Sequence, residues 1–329
     1  MDELKHDLGL PNYVSTEYFP MKRAIVTLWA AKHAHELHNI VPDVRKRVAK
    51  KPLKLILFGG AAFKIRCPSC NVTNGPFNRP INDVDFVMPK KSYREIKSLL
   101  LELSEICGTE YLCFMTHHDR RFSSLQAGNR ILLRAFDEIT PEGTPVVGPV
   151  DILADRIEMR HTIDVRDDLE NAAANMFTIS PLNLLLTKTQ FIFPADIEMK
   201  ERFQKAGEAY RILPYEFGKK ILVGMERKDF MDVAALLLDH RFGSAPKEIS
   251  IETLRRTFKK NDKLALTVSL NLQNMLSNLE MVKGSGATEN QVAMIEKQLR
   301  TLLDDAPEIR RGRNGPWWNT AVETPKIPF

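Results

Sequence analysis

The spacing of apolar residues changes period several times along the chain, and each change predicts an element. From Pro20 to Ile40 the residues Ile25, Leu28, Trp29, Leu37 and Ile40 recur at helical intervals, predicting a helix that Pro42 ends ahead of the basic Arg45-Lys46-Arg47. Leu53 to Phe58 is a short unbroken apolar run, the pattern of a buried strand, and Gly59-Gly60 turns it into the start of a helix. Ile81 to Val87 alternates instead, so Asp83 and Asp85 share one strand face while Val84 and Phe86 take the other. A helix follows from Ser92 to Ile106. Asn129 to Phe136 and Val146 to Leu153 read as two strands joined by a turn containing Pro141 and Gly143.

Beyond Phe177 the strand signals fade. Ser180-Pro181 combines an N-cap with proline at the first helical position, and Leu182, Leu185, Leu186 and Thr189 share one side of the helix it opens. Further on, Asp229 and Asp232 lie three apart on one helix face, with Phe230, Val233, Leu236 and Leu237 as the buried stripe. Helices are also predicted over 251–260, 262–282 and 288–303, the last opened by the capping box Thr288-Glu-Asn-Gln291 after a hinge at Lys283-Gly-Ser-Gly. The chain therefore divides into an N-terminal helical segment (1–50), an α/β (α+β) domain with a mixed sheet (51–176), and a helical C-terminal domain (177–329) ending in a basic and aromatic tail.

Composition narrows the class. With 43% hydrophobic and 27% charged residues over 329 positions, the chain is long enough and apolar enough for two folded cores, which disfavours a disordered protein. A net charge of +5 permits an anionic partner without requiring one. The first residues lack a basic-then-apolar leader, and no run reaches the ~18 apolar residues of a membrane span, so the expectation is a cytoplasmic protein with no membrane partner.

The chemistry concentrates in two places. Paired glycines at a strand-to-helix turn let backbone N–H groups approach a phosphate closely. Asp83 and Asp85 on one face, about 4 Å apart, would repel by about 4 kcal/mol at an effective dielectric near 20, so they call for a proton or a cation. Hard carboxylate oxygens suit Mg²⁺, with Mn²⁺ as the alternative ion, completed by a substrate's phosphates. Gly148-Pro-Val-Asp151 supplies a third acid on a neighbouring strand. Asp83 and Asp85 also fit surface decoration of a short strand, and Asp155 and Asp164 compete with Asp151 for the third place.

At Gly59, Gly60, Asp83, Asp85 and Asp151 the chain resembles the nucleotidyltransferase superfamily, whose signature is a Gly-Gly or Gly-Ser helix turn, an Asp-x-Asp strand and a third Asp in a later strand. Within that superfamily it is most similar to the AbiEii-type abortive-infection nucleotidyltransferase toxins. Ser180-Pro-Leu-Asn-Leu-Leu-Leu-Thr-Lys188 and Glu226-Arg-Lys-Asp229-Phe-Met-Asp232 carry that narrower likeness, which spans about Leu55 to Leu238. The resemblance implies an enzyme that moves NMP from an NTP to an acceptor and releases pyrophosphate. Catalytic and metal-holding roles fall to Asp83, Asp85 and Asp151, and nucleotide-binding roles to Gly59, Gly60, Lys188, Asp229 and Asp232. It also implies an RNA acceptor, particularly a tRNA end, and a toxin-antitoxin or phage-defence setting with a cognate antitoxin. The chain departs from the family pattern in a long insertion between Gly60 and Asp83, which holds Cys67-Pro-Ser-Cys70, and in extra sequence between Lys188 and Asp229.

Other readings stay open beside this one. The same fold transfers nucleotides to small molecules or proteins, and a non-catalytic scaffold could bind nucleic acid or zinc. Lys188 fits an exposed helix lysine, and Asp229 and Asp232 fit partners of Arg227 or Lys228 on a solvated face. Cys67, Cys70, Cys107 and Cys113 could form a four-thiolate zinc site, although the five-residue gap of the second pair favours reduced, partly buried thiols. His33, His35 and His38 lack the His-Glu-x-x-His spacing and read as a solvated helix face. His117 to Arg121 reads as a charged turn. Arg310 to Trp318 fits either RNA stacking or a tail that packs its two Trp on the body.

Overall fold

The computed structural model describes residues 1–37, 51–106, 113–115, 128–139, 145–171, 177–194, 212–217, 220–304 and 316–320. His38, the Pro42 region, Cys107, His117 to Arg121, the Pro141–Gly143 turn and Arg310 to Arg313 lie outside these residues.

Two helices, α1 (Asp2–Leu8) and α2 (Phe19–Lys32), lead into β1 (Ile56–Phe58), α3 (Gly59–Arg66) and a 3₁₀ turn (Pro68–Asn71). Then come β2 (Val84–Met88), α4 (Tyr93–Ile106), β3 (Cys113–Met115), β4 (Arg130–Ile139) and β5 (Pro145–Ala154). A small hairpin, β6 (Arg156–Glu158) and β7 (Thr162–Asp164), precedes α5 (Arg166–Asn171) and α6 (Pro181–Thr189). The second half holds β8 (Phe193–Pro194), β9 (Ile212–Phe217), β10 (Lys220–Glu226), α7 (Arg227–Asp239), α8 (Ile251–Lys260), α9 (Asp262–Ser277), α10 (Glu280–Gly284) and α11 (Glu289–Asp304).

The chain is mixed α/β around a mixed sheet of order β1-β2-β5-β4-β3. β2 and β5 run parallel, while the β1–β2, β5–β4 and β4–β3 pairs are antiparallel. The edge at β1 is covered because the amide of Leu57 donates to Phe177 and that of Ile179 donates back to Leu57. One apolar core runs from Leu8 in α1, through Leu57, Phe86 and Ile152 in the sheet, to Leu302 in α11. A smaller cluster joins Ile192, Leu222, Leu266, Leu270, Trp317 and Trp318.

The expected helix caps are present. The Ser180 hydroxyl accepts from the Asn183 amide, and Thr288 and Gln291 bond each other's backbone amides as a capping box does. The N-terminal helix, expected to reach Ile40, ends at Lys32. His33 leaves helical geometry, residues 33–36 form a turn that buries Ala34, and Leu37, helical and buried, is the last residue described before position 51. His33 accordingly sits on a helix end rather than a solvated helix face, with Nε2 2.7 Å from Asp7 and Nδ1 3.3 Å from Glu36. The C-terminal half is also not wholly helical, since β8, β10 and β9 form a three-stranded sheet. Pro214 and Gly224 interrupt the alternation in these strands, which is why their signal was weak.

Candidate active site

Strand register assembles the carboxylates. Asp85 is level with Asp151 across the parallel β2–β5 pair, and Phe58, the last residue before Gly59, is level with Asp85 across β1–β2. Cross-strand partners share a face, so Asp85 and Asp151 project together, about 5 Å apart at the backbone. Asp83 lies one residue before β2, on the same alternation and exposed.

The glycine turn fits against the middle acid. Gly59 has φ +65°, and a Cβ placed there would lie 2.0 Å from Asp85 Oδ2. Gly60 is also close-packed, though less so, its added Cβ falling 2.7 Å from Ile81 and 3.0 Å from an Arg79 guanidinium nitrogen. The first turn of α3 therefore lies directly against Asp85 and Arg79.

The acids are not electrostatically at ease. Burial pushes the Asp85 carboxyl well above the usual carboxylate range, and the neighbouring charges of Asp83 and Asp151 push it further. Burial also raises Asp151, although a guanidinium offsets part of the effect: Arg130 Nε and Nη2 donate to its two oxygens at 2.7 and 2.5 Å. Arg130 faces Leu153 across β4–β5, so it shares the face of Asp151. Sequence reading missed it. The alternation of Arg130, Leu132 and Arg134 along β4 carried the signal, because it puts two arginines on the acid-bearing face.

A second charged group adjoins the first. Lys188 Nζ lies 2.6 Å from Asp229 and 3.1 Å from Asp232, and Arg79 Nε and Nη2 donate to Asp232 at 2.8 and 2.5 Å. Lys188, Asp229 and Asp232 are all buried, so they do not lie on a solvated face, and Lys228 pairs with Glu226 at 2.9 Å. Burial alone would lower the Lys188 pKa, but Asp229 and Asp232 hold it above its ordinary value. Asp232 is drawn below its ordinary value despite burial, by Arg79 and Lys188. Arg79 was also missed, being a lone cation four residues before Asp83 whose partner lies 153 positions away.

The competing candidates have other partners. Asp155, in a left-handed turn after β5, accepts from the Lys90 amide, and Asp164 pairs with Arg166 at the surface. Cys67 and Cys70 are buried free thiols in and beside the 3₁₀ turn. Trp317 and Trp318 pack on the body, and the Trp317 indole donates to Thr267 Oγ1 at 2.9 Å, so these rings are not free to stack on RNA.

Asp83, Asp85, Asp151, Asp229 and Asp232 share one charged region with Arg79, Arg130 and Lys188, and Lys64 and Glu226 adjoin it. Burial and two acid neighbours make the ionised form of Asp85 costly even with Lys188 and Arg130 nearby, and its hard carboxylate oxygens are of the kind that suits a divalent cation. Among the described residues no group of three or more His, Cys, Asp or Glu side chains already stands in metal-holding geometry, and both Asp151 oxygens are engaged by Arg130. Among the same residues no helix is long and apolar enough to cross a membrane. No family model, curated protein or solved structure matches the chain.

Proposed function

We propose that the chain is a Mg²⁺-dependent nucleotidyltransferase that moves NMP from an NTP to an acceptor hydroxyl and releases pyrophosphate. The observation that carries this reading is the alignment of Asp85 with Asp151 on adjacent parallel strands, with the Gly59-Gly60 helix start packed against Asp85. Asp83 and Asp85 would hold the cation, with Asp151 completing the set. Bound there, a cation would act as a Lewis acid on the transferred phosphoryl group and offset its charge. Asp151 takes the acceptor's proton. The α3 start, free of side chains at Gly59 and Gly60, lets backbone donors reach the phosphates. Lys188 supplies positive charge behind Asp85, and Asp229 and Asp232 hold it in place.

The acceptor and biological setting rest on the resemblance to AbiEii-type toxins, which favours RNA, a tRNA end in particular, and a cognate antitoxin. The test is label transfer from each α-³²P NTP with Mg²⁺, offering total RNA and total protein separately. The expected product is labelled RNA, lost in Asp83→Ala and Asp85→Ala variants. Absence of transfer to either acceptor by folded protein would sink the RNA reading, and label on protein alone would move the activity to a protein acceptor.

A further inference from the structure

We infer that Arg130 binds the nucleotide's phosphates and that, with substrate absent, it keeps Asp151 from the cation, so that metal and nucleotide bind cooperatively. This inference rests on the nucleotidyl-transfer reading. The juxtaposition behind it is a third acid whose two oxygens are both taken by one guanidinium, on a sheet face whose other acids lack such a partner.

A guanidinium so close to Asp151 opposes any cation approaching that carboxylate, because like charges repel strongly in a partly buried site. Arg130 and Asp151 are only 13% and 14% exposed, so water screens this repulsion little. The planar fork that grips a carboxylate fits a phosphate equally well. A nucleotide arriving with the cation therefore permits an exchange of partners. Asp151 gives up the guanidinium for the cation, and Arg130 gives up the carboxylate for a phosphate, so no buried charge is left alone. Either ligand by itself would have to break the pair without replacing one of its members.

The opposing effects of one substitution make this testable. Calorimetry on the full chain would titrate Mn²⁺ alone, a non-hydrolysable α,β-methylene NTP alone, and each in the presence of the other. In the wild-type chain, Mn²⁺ affinity should rise about tenfold or more when nucleotide is present. Arg130→Gln should tighten Mn²⁺ binding in the absence of nucleotide by about tenfold, since a competing charge is gone. It should weaken nucleotide binding by about tenfold or more, since a charge-assisted phosphate contact is lost. Arg130→Lys, which keeps the charge without the fork, guards against a folding failure and should shift both affinities in the same directions by less. Lys259→Gln on the exposed face of α8 should change neither.

A role confined to stability would weaken both ligands together, and that result overturns the inference while leaving the nucleotidyl-transfer reading intact. Unchanged affinities in both Arg130 variants do the same. A wild-type chain that binds no nucleotide with or without Mn²⁺ overturns the reading itself.

Discussion

Gly59→Ala is the sharpest test of the site's construction, because two separate penalties meet at one position. Gly59 has φ +65°, in the left-handed region, where an L side chain costs about 1–2 kcal/mol. The new Cβ would also fall 2.0 Å from Asp85 Oδ2, too close for the carboxylate to stay where it is. Displacing a packed side chain costs about 1–3 kcal/mol more, giving about 2–5 kcal/mol in all. Gly286 isolates the backbone part, since it has φ +96° with nothing within 4 Å of an added Cβ. Urea unfolding should therefore show Gly286→Ala destabilised by about 1–2 kcal/mol and Gly59→Ala by clearly more. The clash is then assigned by a double-mutant cycle with Asp85→Ala, which removes the blocking oxygens and leaves the Asp85 Cβ at a tight but yielding 3.2 Å. The two changes should couple by about 1–3 kcal/mol, the second relieving the first. Additivity to within about 0.5 kcal/mol would refute the close approach of the helix start to Asp85.

Two further predictions concern buried charge. Asp232→Ala leaves Arg79 and Lys188 facing one another without their shared carboxylate, and breaking such a buried pair should cost about 3–5 kcal/mol in urea unfolding; a loss below ~1 kcal/mol would mean the pair is open to water. His161 is buried, 2.8 Å from Thr267 Oγ1, and burial, with Lys263 nearby, lowers its pKa from 6.5 to about 4. Between those values the unfolded chain binds the proton and the folded chain does not. The stability tied to a neutral His161 is thus complete above pH 6.5 and is lost as pH falls to about 4, a total of about 3 kcal/mol. Denaturant midpoints measured across this range should fall less steeply for His161→Gln than for wild type, and parallel curves would refute the assignment.

Much of the sheet and the caps was legible because the signals are local. Alternation around Asp83 and Asp85, the apolar run before Gly59, and Ser180-Pro181 each act within a few residues. The site partners were legible only where they too followed a short period. Asp83 and Asp85 could be put on one face from alternation, and Asp151 at the same end of the sheet from strand pairing. The shared face and matched level of Asp85 and Asp151 depend instead on a β2–β5 register set by the whole sheet. Arg79 with Asp232 and Lys188 with Asp229 join positions 153 and 41 residues apart, and nothing local marks them as pairs. Arg130 shows the same limit in a milder form, since its strand was expected while its grip on Asp151 depends on β4 lying next to β5. The N-terminal helix was overextended because the turn at 33–36 carries no proline or glycine to mark it, and it buries Ala34 much as a helix would.

The charged residues divide into two sets by how well they satisfy one another, and that division bears on where the chemistry belongs. Lys188, Asp229, Asp232 and Arg79 form a closed group in which every carboxylate has a cation within 3.1 Å, and Asp232 is drawn below its ordinary pKa. Such a group fixes geometry, here the position of α7 against α6 and the loop that leads into β2. Asp85 is the reverse case. Its pKa is driven upward by burial and by two neighbouring acids, and its own turn is built without side chains at Gly59 and Gly60. On the nucleotidyl-transfer proposal, that carboxylate is where a cation from outside the chain would be held. On the same proposal Arg130, which grips both Asp151 oxygens and offsets the charge of Asp85 only in part, is the residue whose change of partner would open the site.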